Sequence, residues 1–312
     1  MQIIGASMIS TGLKKSWFGT ALDFQKSVIP NILPRVIICG IFALIISLLP
    51  QEHIPNYWRK LDIVVPSVVL GLVLVFRTNT AYERFWEGRK YWGTIATTIL
   101  NIGRQVWVLI EEKEPKDRDL KKSILQLLAA FAVAAKLHLR QESINSELEP
   151  LMSNERYENL KNVNNSALQI AYWMGDDLQK LFLKNCLEIS QLNAINFLMN
   201  TMIESVIGCN RILTTPLPLA YGIHLKQLLL IYCLALPFKM VTDFGWLTAP
   251  CVMLISYTLF GIEEIGIEIE DPFGKDRNDI PLDDICNLIQ RDMNDLMALE
   301  PSASNLEYAD VK

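Results

Sequence analysis

The chain has 312 residues, 51% hydrophobic and 20% charged, with a formal net charge of −5. It is more apolar than an ordinary soluble domain and too charged to be membrane span throughout, so a few spans joined to a helical soluble part fit best. Six scattered cysteines without a CxxC pair and three distant histidines indicate no disulfide framework or zinc site. No nucleophile elbow, phosphate loop or dinucleotide fingerprint suggests an enzyme, and nothing suggests a nucleic-acid partner.

Residues 1–35 form a mixed N-terminal arm. MQIIGASMISTGLKKSWFG is no secretory signal, because its apolar patch precedes Lys14 and Lys15. Trp17, Phe18, Leu22 and Phe24 with Lys14, Lys15 and Lys26 read either as an interface-seeking segment or as a soluble arm. Val36–Leu49 is the first expected span. It is short for a hydrocarbon core, which takes about 20 apolar residues, unless flanking residues extend the helix and Arg35 snorkels. Pro50–Asp62 is a loop with Trp58 and Arg59 at the interface.

Ile63–Trp92 organises the rest. Val64–Phe76 is apolar on nearly every side, whereas a soluble core helix is apolar on one stripe. From Arg77 onward the chain is dense in charge and aromatics, with no Gly or Pro at the join. A charge left bare in hydrocarbon costs roughly 2.5 kcal/mol or more, so this reads as one helix that leaves a membrane and becomes the first helix of the soluble part. Pro66 predicts a bend near Asp62–Pro66. Val68, Leu72 and Phe76 share one helix face along about 12 Å. In several copies around an axis they would make three apolar rings, one way to build a gate; otherwise they are plain helix–helix packing.

Tyr91–Arg140 predicts two long helices broken at Pro115, the second with Leu120, Ile124, Leu127, Leu128, Phe131 and Leu137 on a packed face. Gln141–Asn154 is a loop, Ser166–Asn185 and Glu188–Leu213 are further helices, and no strand-like alternation is present. Residues 77–213 are thus a helical region continuous with the second span. Residues 226–262 hold the third and fourth spans, Leu228–Phe238 and Trp246–Ile262, as a hairpin about Lys239–Gly245. Four spans put both termini on one side, and the Lys and Arg distribution places that side in the cytoplasm. The remainder, 263–312, is an acidic tail of net −10, leaving about +5 elsewhere. It is expected to be solvated, or else to lie on the basic helical part. Within it Leu282–Leu299 is an amphipathic helix and Pro301–Lys312 reads as disordered.

Three stretches occur in the order seen in one family: FRTNTAYERFWEGRKYWG (Phe76–Gly93), TTPLPLAY (Thr214–Tyr221) and IEDPFGKDRNDIPLD (Ile269–Asp283). Together they resemble the bestrophin family in its bacterial and plastid branch, over roughly Ser16–Asp295. The resemblance implies an all-α membrane protein, one unit over 1–312, with four transmembrane helices and a cytosolic helical bundle continuous with the second span, assembled as a homopentameric ion channel. It implies a pore neck at Val68, Leu72 and Phe76, where many relatives carry bulkier residues at the first two. It also implies a cytosolic aperture on the helix before TTPLPLAY, within Leu192, Asn193 and Ile195. In animal members the acidic turn is a calcium clasp, and the matching positions are Glu268, Asp271, Asp276 and Asp279. Lys275 and Arg277 interrupt the run here, so a structural turn pairing with the basic bundle is the first reading and calcium the second.

The expected function is an anion channel, with chloride or bicarbonate as candidate ions and lipid and like subunits as partners, in a bacterial plasma membrane or a thylakoid. A cation-permeable channel of the same fold is the alternative, since an apolar neck carries no sign of charge. A membrane carrier or enzyme is disfavoured because the spans hold almost no ionisable clusters or repeats. A membrane-anchored scaffold is not excluded by the residues.

Overall fold

The computed structural model describes residues 23–24, 27–50, 62 and 64–300, and all regular structure among them is helical. The aromatic and basic positions 14–18, 22 and 26 of the arm, the interface pair Trp58 and Arg59, and the terminus 301–312 lie outside the described residues. The helices in chain order are α1 (Ile29–Leu48), α2 (Val64–Leu109), α3 (Pro115–Leu139), α4 (Asn154–Leu160), α5 (Ser166–Leu183), α6 (Ile189–Thr214), α7 (Leu219–Phe244), α8 (Thr248–Glu268) and α9 (Leu282–Ala298). They fall into two compact units, Met1–Glu83 with Leu217–Glu270 and Arg84–Pro216 with Asp271–Lys312.

The first unit holds the apolar helices. Helix α1 starts seven residues before the apolar run, with a proline in its first turn, and continues through Pro34. Its 20 residues span about 30 Å, enough for a hydrocarbon core. Arg35 is therefore on the helix, not before it. Helix α2 is the uninterrupted 46-residue helix expected from the sequence. The Asp62 carboxylate accepts the Val64 N–H at 2.9 Å, and Pro66 falls in the first turn. A missing N–H there removes no intrahelical bond, so the expected bend has no cause. Helices α7 and α8 form the hairpin: α7 outruns its apolar run at both ends and stays helical through Phe244, where a turn from Lys239 was expected, and α8 begins at Thr248 and continues six residues past Ile262. The turn between them passes through Gly245 at φ +53°, a conformation that favours glycine. Ile32, Val36 and Cys39 pack with Leu70, Leu74, Leu229, Cys233, Val252 and Phe260 in one buried cluster. A Cβ on Gly40 would stand 2.5 Å from Met253 Cγ, so α1 and α8 meet through the small residue.

The second unit is a helical bundle. Helix α3 is long and apolar enough to cross a membrane, but 78% of its apolar window is buried, against 22–33% for the other candidate stretches. It is the bundle's core. Ile124, Leu127, Leu128, Phe131 and Leu137 are buried as their spacing predicted. The short α4, capped by the Ser153 hydroxyl, had no sequence-level signal beyond that cap.

The tail is not merely solvated. Asp283, in the first turn of α9, pairs with Lys136 at 2.9 Å and Arg140 at 2.8 Å, and Lys275 pairs with Glu142. The Pro272–Phe273 turn packs on Gly88 of α2, where an added Cβ would lie 3.0 Å from Phe273 Cζ and 3.2 Å from Pro272 Cγ. Phe273 is fully buried, so it has little room to retreat. Gly88→Ala is therefore expected to lower stability by about 1–3 kcal/mol, read as a reduced melting temperature of the purified protein in detergent; an unchanged value would mean that the turn is not seated there.

Candidate functional site

On α2 the residues Leu70, Leu74, Arg77 and Ala81 are buried, at i, i+4, i+7 and i+11. The helical period puts Val68, Leu72 and Phe76 on the other side. All three are more than half exposed, at 57%, 53% and 64%. Their own chain leaves more than half of each of these apolar residues uncovered. Such a row requires lipid, another copy or a dry passage as its neighbour.

The rotation of the helix is fixed at Arg77, the first charge after the apolar run. It is only 6% exposed. Its Nη1 lies 3.2 Å from Glu263 Oε1, itself 2% exposed, and its Nη2 lies 3.5 Å from Glu270. Arg35 reaches the same group from α1, 3.0 Å from Glu264 and 3.5 Å from Glu263. Glu270 also accepts the Leu217 N–H, and Tyr221 donates its hydroxyl hydrogen to the Val73 carbonyl at 3.0 Å. One ionic cluster thus ties α1, α2 and α8 together just below the apolar row. The sequence marked Arg77 but not its carboxylates, which lie 186 or more positions away.

The other motif residues are mostly structural. Arg84 donates to the carbonyls of Ile212 and Thr215 and so closes the C-terminal end of α6. Trp92 is buried, whereas Tyr82 and Trp86 are exposed. Arg211 reaches Tyr91 and Glu87.

Of the three aperture positions on α6, Leu192 and Ile195 are buried in the bundle core, and Asn193 is exposed. A side chain packed in its own core cannot rim an opening. The sequence left this register open because α6 is apolar on both sides: Phe197 and Ile207 are exposed.

The acidic turn does not fit a calcium site. Among the described residues no three His, Cys, Asp or Glu side chains are arranged to hold a metal ion. Asp271 and Asp279 use oxygens to accept the backbone N–H groups of Phe273 and Asp276. Burial pushes the Asp279 carboxyl up to about 6, with Asp276 and Asp271 adding to the effect.

A family model described as Bacterial/Fungal Bestrophin protein matches residues 8–295. The chain is 55% identical over 292 residues to a protein of Nostoc sp. named voltage-dependent anion channel-forming protein, covering 94% of this chain and 95% of that one. A protein of the same description from Escherichia coli is 29% identical over 282 residues, covering 90% and 91%. Among solved structures, a bacterial bestrophin homologue from Klebsiella pneumoniae aligns with a TM-score of 0.76 at 27% identity, over 86% of this chain and all of that one.

Two outcomes follow from this geometry. Glu263→Gln leaves Arg77 buried with half its charge compensation, and should cost about 3–5 kcal/mol, seen as a large drop in melting temperature. A variant as stable as the parent would remove the cluster's anchoring role. Calcium at about 1 mM should leave the melting temperature unchanged relative to a chelator; a site saturated a hundredfold would instead add roughly 2.7 kcal/mol.

Proposed function

The chain belongs to the bacterial/fungal bestrophin family, and from that premise we propose that it forms a homopentameric anion channel with Val68, Leu72 and Phe76 as the rings of its neck. The observation that supports this most is the exposure of those three side chains opposite the buried Arg77. A helix rotated by half a turn would have hidden them and left the charge outside. The names of the relatives, voltage-dependent anion channel-forming proteins, favour an anion as the permeant species. Chloride is the first candidate and bicarbonate the second.

In this reading the Val68 and Leu72 rings keep the neck dry until it widens, so conduction is gated by wetting. Five Phe76 rings present their slightly positive edges to an ion that has shed water. Valine and leucine are small for such a position, which makes the barrier lower than bulkier rings would. The cytosolic aperture is then on the exposed side of α6, at Asn193, and not at Leu192 or Ile195. The bundle and both termini face the cytoplasm, with the spans in a bacterial plasma membrane or, as the second choice, a thylakoid. A cation-passing channel of the same build is the alternative, because Glu83 is exposed about two turns beyond Phe76, on nearly the same helix face.

Purified protein in planar bilayers tests this reading. In a tenfold gradient of potassium chloride the reversal potential should approach about 59 mV on the chloride side. The Val68→Ala, Leu72→Ala double variant should pass severalfold more current with the same sign. Unchanged conductance in that variant would remove the neck assignment, and a reversal potential on the potassium side would install the cation alternative.

A further inference from the structure

The exposed row of α2 continues past Phe76. Glu87 lies eleven residues on, three turns plus about 20° at 3.6 residues per turn, so it projects from the same helix face about 16 Å further along. Helix α6 carries an exposed row of its own, opposite its buried side: Asn193, Phe197, Asn200, Glu204, Ile207 and Arg211 fall within an arc of about 80°. In the second unit these two rows meet at Glu87 and Arg211. Arg211 Nη2 donates to the Tyr91 hydroxyl at 2.7 Å and lies 3.4 Å from Glu87 Oε1. The Tyr91 hydroxyl donates in turn to Glu87 at 3.3 Å. The Tyr91 ring sits on Gly208, one turn before Arg211, so closely that a Cβ there would be 2.5 Å from Tyr91 Cζ. Glycine at 208 is what lets the ring come in under the guanidinium. The pair is thus held in place from below, yet its charged ends stay open, with side chains 64% exposed for Arg211 and 48% for Glu87.

We infer that the Glu87–Arg211 pair lines the ion path beyond the neck and biases the anion-to-cation preference there. The inference rests on the channel reading above. The neck holds no formal charge, so beyond the weak edge dipoles of Phe76 the formal charges on the continuing rows act on the sign of the ion. The two side chains nearly cancel as a pair, and the guanidinium is the more exposed of the two, so the pair turns its positive end outward. Repeated in each subunit, that end attracts anions to the inner mouth of the neck and repels cations. Tyr91 acts as the positioning residue. Glu83 and Glu204, which favour cations, and Lys90, which favours anions, are exposed on the same rows and form a background common to every variant, so the pair is read as a change in the permeability ratio.

Reversal potentials of the reconstituted full chain in asymmetric potassium chloride test the pair. Glu87→Gln releases the Arg211 charge and should raise the chloride-to-potassium permeability ratio. Arg211→Gln releases the Glu87 charge and should lower it. Each change should be about twofold or more, the size expected of a ring of unit charges felt through water over about one Debye length. The double variant should fall between the two. A purely structural contact would move both single variants alike, or leave the ratio unchanged while currents persist, and either result overturns the inference. Should a single variant fail to assemble, Glu87→Gln with Arg211→Lys keeps one cation and no carboxylate; a ratio no higher than that of the parent overturns the inference too. A parent chain that gives no ion-selective current sinks the channel reading instead, which separates the two failures.

Discussion

A guanidinium removed from water has to find carboxylates, and in this protein that demand turns the long helix. Arg77 follows directly on the thirteen uncharged residues Val64–Phe76 and pairs with Glu263 and Glu270, and Glu263 is shared with Arg35, which also pairs with Glu264. Removing one partner of such a cluster is far more costly than any contact available to the opposite face. Once Arg77, Leu70 and Leu74 point inward, the helical period leaves Val68, Leu72 and Phe76 no inward option. The apolar row is exposed because the charge is not.

The same rotation joins the membrane part to the chemistry beyond it. An all-round apolar segment suits lipid on some sides and a dry passage on another, but it carries no formal charge. Formal charge begins where the helix becomes polar. Glu87, on the Phe76 face, is met by Arg211 at the C-terminal end of α6, and Arg84 binds the carbonyls of that same helix end. Two arginines from different helices therefore fix where the exposed rows of α2 and α6 come together, one through backbone carbonyls and one through a tyrosine seated on a glycine.

Much of the fold was legible because its signals are local. The apolar runs marked four spans, Pro115 marked the start of α3, and the apolar spacing in 120–137 marked its buried side. The long uninterrupted helix followed from the absence of Gly or Pro around Arg77. Other features needed partners distant in sequence. The apolar run at 36–49 gave no sign that its helix reaches back through Pro34, because two prolines at its start resemble a break. The register of α6 was hidden by apolar residues on both of its faces, and only the structure shows Leu192 and Ile195 buried and Asn193 exposed. The carboxylates of Arg77, and the docking of Asp283 on Lys136 and Arg140, depend on chain segments more than a hundred residues apart. The neck positions came from the family resemblance together with the spacing; spacing alone fits ordinary packing equally well.

The most direct test of the account is an electron-microscopy structure of the purified full chain in lipid nanodiscs, read at Val68, Leu72 and Phe76. Fivefold symmetry with these side chains bordering an open axial passage is the predicted result. The same side chains pressed against lipid or a neighbouring helix, with no passage along the axis, would contradict it.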